Sequence, residues 1–151
     1  KKTLENFKGV EGRLEFLREV KGVKVYNDNN STTPDATIAG LKALGDKPAR
    51  TAKQGGNIVL IMGGADKKLN MKPLLKMIPK YCKHVVYLPG SGTDAIGKKG
   101  TKNLDEAVKQ AFKFAKKGDI ILFSPAFASF GLFANEYDRN DQFVKIINKM
   151  K

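Results

Sequence analysis

The segment ILFSPAFASFG, Ile121 to Gly131, starts as an apolar run behind Gly118-Asp119 and then changes to Ser, Pro and small residues. An apolar run ended by such a turn signal reads as a buried strand entering a loop. In an α/β protein the carboxyl end of a parallel strand is where the backbone opens toward ligands, so this turn is a candidate binding edge. The same residues also suit a plain strand-to-helix turn with no ligand.

Outward from that strand the chain alternates short apolar strands with amphipathic helices, the pattern of a doubly wound sheet. Leu14 to Val20 and Gly22 to Tyr26 read as a hairpin joined at Lys21-Gly22. Thr33-Pro34-Asp35 opens a helix whose apolar face is Ile38, Leu41 and Leu44 and which stops at Gly45. Asp46 to Gly56 reads as a loop, Asn57 to Met62 as a strand, and Met71 to Lys80 as a helix with Leu74, Leu75 and Ile78 inward. A strand at His84 to Leu88, a helix at Leu104 to Ala115, a strand at Asp119 to Phe123 and a last helix at Asn140 to Met150 complete the pattern. The expected fold is α/β, Rossmann-like, with a mostly parallel sheet, an antiparallel amino-terminal hairpin and helices on both faces.

Composition limits what such a domain can do. With 151 residues, 41% of them hydrophobic, the chain suffices for one domain with a real core. No apolar stretch approaches a bilayer-spanning length and the Lys-rich start lacks a signal-peptide core, so a cytoplasmic protein away from membranes is expected. One cysteine, Cys82, and one histidine, His84, leave no internal disulfide and no metal cluster. The net charge of +13 comes from lysines scattered over helices and loops, without an aromatic-interleaved strip, which ranks nucleic acid below a small anionic ligand.

Three loops follow strands: NDNNSTTPDAT at 27–37, MGGADKKLN at 62–70 and SPAFASFG at 124–131. In a parallel sheet such loops gather on one edge, and together they offer a carboxylate, several hydroxyls, a lysine and glycine-exposed backbone. Taken singly, Asp28 suits a turn cap, Gly63-Gly64 a strained backbone and Lys67 a solvated charge. A fourth loop, GTDAIGKK at Gly92 to Lys99, nearly fits the phosphate-loop pattern, but Lys99 stands where the final hydroxyl belongs, and it reads as a surface loop.

In combination, GRLEF at 12–16, YNDNNSTTPDAT, IMGGADKKLN and LFSPAFASFGLFANEYDRNDQF resemble, in the same order, the carboxy-terminal domain of the Mur ligases of peptidoglycan synthesis. The Ser-Pro-Ala-x-Ala-Ser turn is similar to that of the branch that adds D-glutamate; folylpolyglutamate-type ligases share the fold. The resemblance implies an ATP- and Mg2+-dependent ligase in which an acyl phosphate of UDP-N-acetylmuramoyl-L-alanine is attacked by the D-glutamate amine. It also implies that the amino-terminal UDP-binding domain and the central ATP-binding domain lie outside this chain, which alone would be inactive. Carried over by position, Thr32, Lys67, Ser129 and the Phe130 backbone would hold the carboxylates of D-glutamate. Arg13 would reach the nucleotide phosphates and Asp28 the ribose. Two departures stand out: Asn30 replaces a family lysine, and Glu136 replaces an aromatic residue, with Tyr137 one place later. The competing expectation is a non-catalytic module that holds an anionic metabolite.

Overall fold

A computed structural model of the chain describes residues 9–45 and 56–151. Most of the loop expected at Asp46 to Gly56 lies outside the described residues. The strands are β1 (Glu15–Val20), β2 (Val23–Asn27), β3 (Ile58–Gly63), β4 (Cys82–Leu88) and β5 (Ile120–Phe123). The helices are α1 (Pro34–Leu44), α2 (Lys72–Tyr81), α3 (Ser91–Ala95), α4 (Leu104–Phe114) and α5 (Glu136–Asn148). The five strands form one sheet in the order β1-β2-β5-β3-β4, in which only the β1–β2 pair is antiparallel.

Burial follows this order. β3 is enclosed along its whole length, and β5, placed between β2 and β3, is nearly so, which is why both read as unbroken apolar runs. Their alternating side chains serve two cores. Val59, Ile61, Ile121 and Phe123 face α4 and α5, while Ile58, Leu60, Met62 and Leu122 face α1 and α2. The expectation of helices on both faces is therefore met.

Local chemistry sets the helix ends. Thr33 caps α1 by accepting from the Ala36 amide, and Asn103 caps α4 by accepting from the Glu106 amide. The expected last helix is the one substantial boundary error, since α5 begins at Glu136, four residues before Asn140. Asn135 caps it by accepting from the Asp138 amide at 2.9 Å, a signal present in the sequence as Asn with an acidic residue three places on. The loop expected at Gly92 to Lys99 also begins with a short helix, α3.

Because β2, β3 and β5 run parallel, the segments after them emerge on one edge of the sheet. The chain leaving β5 then reverses. Ser124 N–H still donates to Ile61 O, Ala126 stands in the left-handed region at φ 61°, and Ala128 pairs antiparallel with Ala65. This reversal is the structural content of the Ser-Pro-Ala-Phe-Ala-Ser stretch.

Candidate functional site

A pocket of about 400 Å3 opens on that edge, lined by Arg13, Asn30, Thr32, Lys67, Ala128, Ser129, Phe130, Glu136 and Tyr137. The sequence-predicted residues therefore meet around one opening, drawn from the segments before β1, after β2, after β3 and after β5, and from the start of α5. Asp28 is the exception, lying beneath the pocket rather than on its lining.

Each wall has a physical origin. On one side Thr32 follows the tight turn in which Ser31 N–H donates to Asp28 O and Thr32 N–H donates to Asn30 O. Across from it, the Lys67 ammonium lies 3.4 Å from both Thr32 Oγ1 and Thr32 O. The third wall is the reversed strand Ala128–Ser129. It comes close to the loop after β3 because Gly64 has no side chain: a Cβ there would clash with Ala128 O. Ser129 is buried, while Phe130 and Tyr137 are 70% and 74% exposed at the rim.

Arg13 is exposed at the margin of the pocket, and its approach is set by Gly12. Gly12 has φ 71°, and its amide donates to Glu15 Oε2 at 3.0 Å. A Cβ on Gly12 would meet the Oδ1 of Asn30 at 3.0 Å and that of Asn140 at 3.2 Å. Asn30 accordingly has a local partner: its amide group donates to Glu11 O at 3.0 Å and its backbone N–H to Gly12 O at 2.9 Å. Asn30 thus fastens the segment carrying Arg13.

Asp28 is only 3% exposed. Its Oδ1 accepts from Leu14 N–H at 3.1 Å and its Oδ2 from the Ser124 hydroxyl at 2.8 Å, with Thr37 Oγ1 2.9 Å from Ser124 Oγ. Burial raises its pKa above the ordinary carboxylate value, against the opposing pull of hydrogen bonds from Ser31, Ser124 and Leu14 and of the Arg13 charge. With three donors on it and about four acceptor sites in all, the carboxylate keeps about one site free of these contacts.

Sequence reasoning missed Arg139 and Asn29, both buried behind the pocket. Arg139 donates from Nε to Asn29 Oδ1 at 2.7 Å, from Nη2 to Asn29 O at 2.9 Å and from Nη1 to Phe127 O at 3.2 Å. Nothing local marks an arginine on a polar-looking helix as interior; its burial is decided by the loops folded over it.

The phosphate-loop look-alike has its amides engaged at home. Gly92 N–H donates to Gly64 O, Asp94 N–H to Gly90 O and Lys98 N–H to Thr93 O, so these groups do not cradle an anion. Among the described residues no group of three or more His, Cys, Asp or Glu side chains is arranged to hold a metal ion, and no helix is long and apolar enough to cross a membrane.

Residues 12–127 match the family model described as Mur ligase, glutamate ligase domain. The chain is 42% identical over 97% of its length to UDP-N-acetylmuramoylalanine--D-glutamate ligase of Borreliella burgdorferi (strain ZS7), covering 33% of that protein. It is 40% identical over 99% of its length to the protein of the same name from Clostridium botulinum (strain Alaska E43 / Type E3), covering 34% of it. For the Acetivibrio thermocellus protein of that name the identity is 37% over the full chain, again 34% of the relative. The chain thus spans about a third of the length of the curated relatives that it matches.

Proposed function

The chain belongs to the Mur ligase family, and from that premise we propose that it is the carboxy-terminal domain of an ATP-dependent ligase that joins D-glutamate to UDP-N-acetylmuramoyl-L-alanine. The observation that carries this reading is the convergence of Arg13, Lys67, Thr32 and Ser129 on one open pocket. One cation, Lys67, and two hydroxyls within such a volume suit a small anionic ligand, with a second cation, Arg13, at the margin. Lys67 with Thr32 forms one anion-binding point, and Ser129 with the backbone of Phe130 forms another. Binding at both would orient an amino dicarboxylate and leave its amine free to act as nucleophile. Arg13 at the rim suits a phosphate, for which a guanidinium fork is well matched.

The remaining parts belong to the rest of such a ligase. ATP would supply the activation of the acceptor carboxylate as an acyl phosphate, and Mg2+ would be held by residues outside this domain. Within this chain the residues bind and orient the amino acid and meet a phosphate at the margin. The exposed rings of Phe130 and Tyr137 at the rim fit a surface that is covered when the other domains close on it. Asp28 as a ribose contact remains part of the proposal. It requires a hydroxyl to reach a carboxylate that already serves Leu14 and Ser124.

The test is steady-state kinetics of the full-length ligase with UDP-N-acetylmuramoyl-L-alanine, ATP and varied D-glutamate. Ser129→Ala should raise the KM for D-glutamate by roughly tenfold to a hundredfold, the range for losing a hydrogen bond to a charged group, with little effect on ATP dependence. Amide formation that is independent of D-glutamate, or a Ser129 variant with unchanged KM, would defeat the reading in favour of a non-catalytic anion-binding module or another amino acid.

A further inference from the structure

We propose that Arg139 is a positioning residue that fixes the separation of the two pocket walls, and through it the length of the dicarboxylate that is accepted; the second half rests on the functional reading above. The guanidinium lies between the walls. Two of its three contacts are to Asn29, three residues before Thr32, and the third is to the carbonyl of Phe127, two residues before Ser129. Asn29 in turn donates from Nδ2 to Glu136 O at 2.9 Å, which ties in the start of α5. A single buried pair thus joins the loop after β2, the loop after β5 and the helix whose first residues complete the lining.

Arg139 is 0% exposed, and the two ion pairs found among the described residues, Lys83–Asp119 and Lys109–Asp105, do not involve it. Burial lowers its pKa to about 10, partly offset by Glu136, so it remains charged near neutrality. A buried cation held by carbonyl oxygens is costly compared with an apolar side chain of like volume, and such a group is best explained by the geometry that it specifies. Three donors in a rigid plane fix both the distance and the angle between their acceptors, which a lysine cannot do. The neighbouring cross-link is the Ala126 N–H, which donates to Ser31 O at 2.8 Å beside the left-handed Ala126. The loops are therefore latched at two adjacent points, of which the guanidinium is the one that sets direction.

Two readouts test this in Arg139→Lys and Asn29→Ala. In the 151-residue chain, hydrogen exchange at the Ala126 amide should accelerate at least about tenfold while the amides of β3 keep their protection. In the full-length ligase, the preference for D-glutamate over D-aspartate, one methylene shorter, should fall by roughly tenfold, the scale on which one methylene is discriminated, with kcat for D-glutamate changed less. A merely structural arginine would lower the amount of active enzyme and leave that ratio intact. Unchanged exchange at Ala126 overturns the latch. A preserved ratio in a ligase that does depend on D-glutamate overturns its role in selectivity. A parent ligase with no D-glutamate dependence overturns the functional reading and the selectivity with it, while the exchange result still decides the latch. Should Arg139→Lys fail to fold, Asn29→Ala, which removes the Nε contact and the tie of Asn29 to Glu136 O, carries both measurements.

Discussion

Lys67 Nζ lies 3.4 Å from the hydroxyl oxygen of Thr32, a residue 35 positions earlier in the chain, and the same ammonium lies 3.4 Å from the Thr32 carbonyl oxygen. Among the described residues no carboxylate forms an ion pair with it. The lysine is thus aimed by a neutral partner and keeps donors for an anion.

Lys67→Ala in the full-length ligase should therefore lower efficiency toward D-glutamate by roughly tenfold to a thousandfold, the range for losing a charge-assisted contact. Under the proposed function, acyl-phosphate formation needs no amino acid and should be nearly unaffected. Trapping the acyl phosphate with a reductant separates the two half-reactions. Loss of both to the same extent would assign Lys67 to the fold or to the nucleotide.

Asp28→Asn should alter how stability depends on pH. Burial in the folded state raises the Asp28 pKa above the ordinary aspartate value of 3.8, so in the window just above that value the folded chain binds more protons than the unfolded one. Stability contributed by this group is therefore full below about pH 3.8 and declines as pH rises through the folded pKa. Denaturant melts at several pH values should show the wild type losing stability relative to Asp28→Asn across that window. A constant difference would mean that burial of the carboxylate is fully compensated.

Gly64→Ala should destabilise the domain by about 2–4 kcal/mol, the upper part of the range for single substitutions. Gly64 has φ 144°, and the added methyl would meet the Ala128 carbonyl, so the reversed strand must move. Thermal unfolding gives the stability change. In the full-length ligase the same change should weaken D-glutamate use more than ATP use, because Ser129 follows Ala128.

The isolated chain should show no magnesium-dependent ATP turnover. Lys98 Nζ lies 6.0 Å from the centroid of the Tyr87 ring, and its backbone amide donates to Thr93 O. Lys98→Ala in the full-length ligase should leave kcat within about twofold, as expected of a surface substitution. Turnover by the pure chain that disappears in this variant would restore the loop as a phosphate site.

Most of the architecture was legible in the sequence because hydrophobic period and turn chemistry are local. The continuous apolar runs at β3 and β5 place those strands at the centre of the sheet, and Thr33-Pro34 and Asn103 mark helix starts by the chemistry of a cap. Asn135 carries the same cap chemistry, so the start of α5 at Glu136 is a local property as well. The loops after β2, β3 and β5 were also identifiable as one candidate edge, since parallel strands must end together.

What the sequence by itself determined is therefore the order of elements, the edge on which function gathers, and the residue types available there. The tertiary structure alone decided which of those residues face the opening. Asp28 and Thr32 are four positions apart, yet the turn between them buries one and presents the other. Arg139, which would be a solvent-facing residue on an isolated helix, is enclosed because Asn29 and Phe127, 110 and 12 positions away, bring their carbonyls to it. Burial and hydrogen-bond partnership are properties of the packed chain, and contacts of that sequence separation leave no mark in a local window.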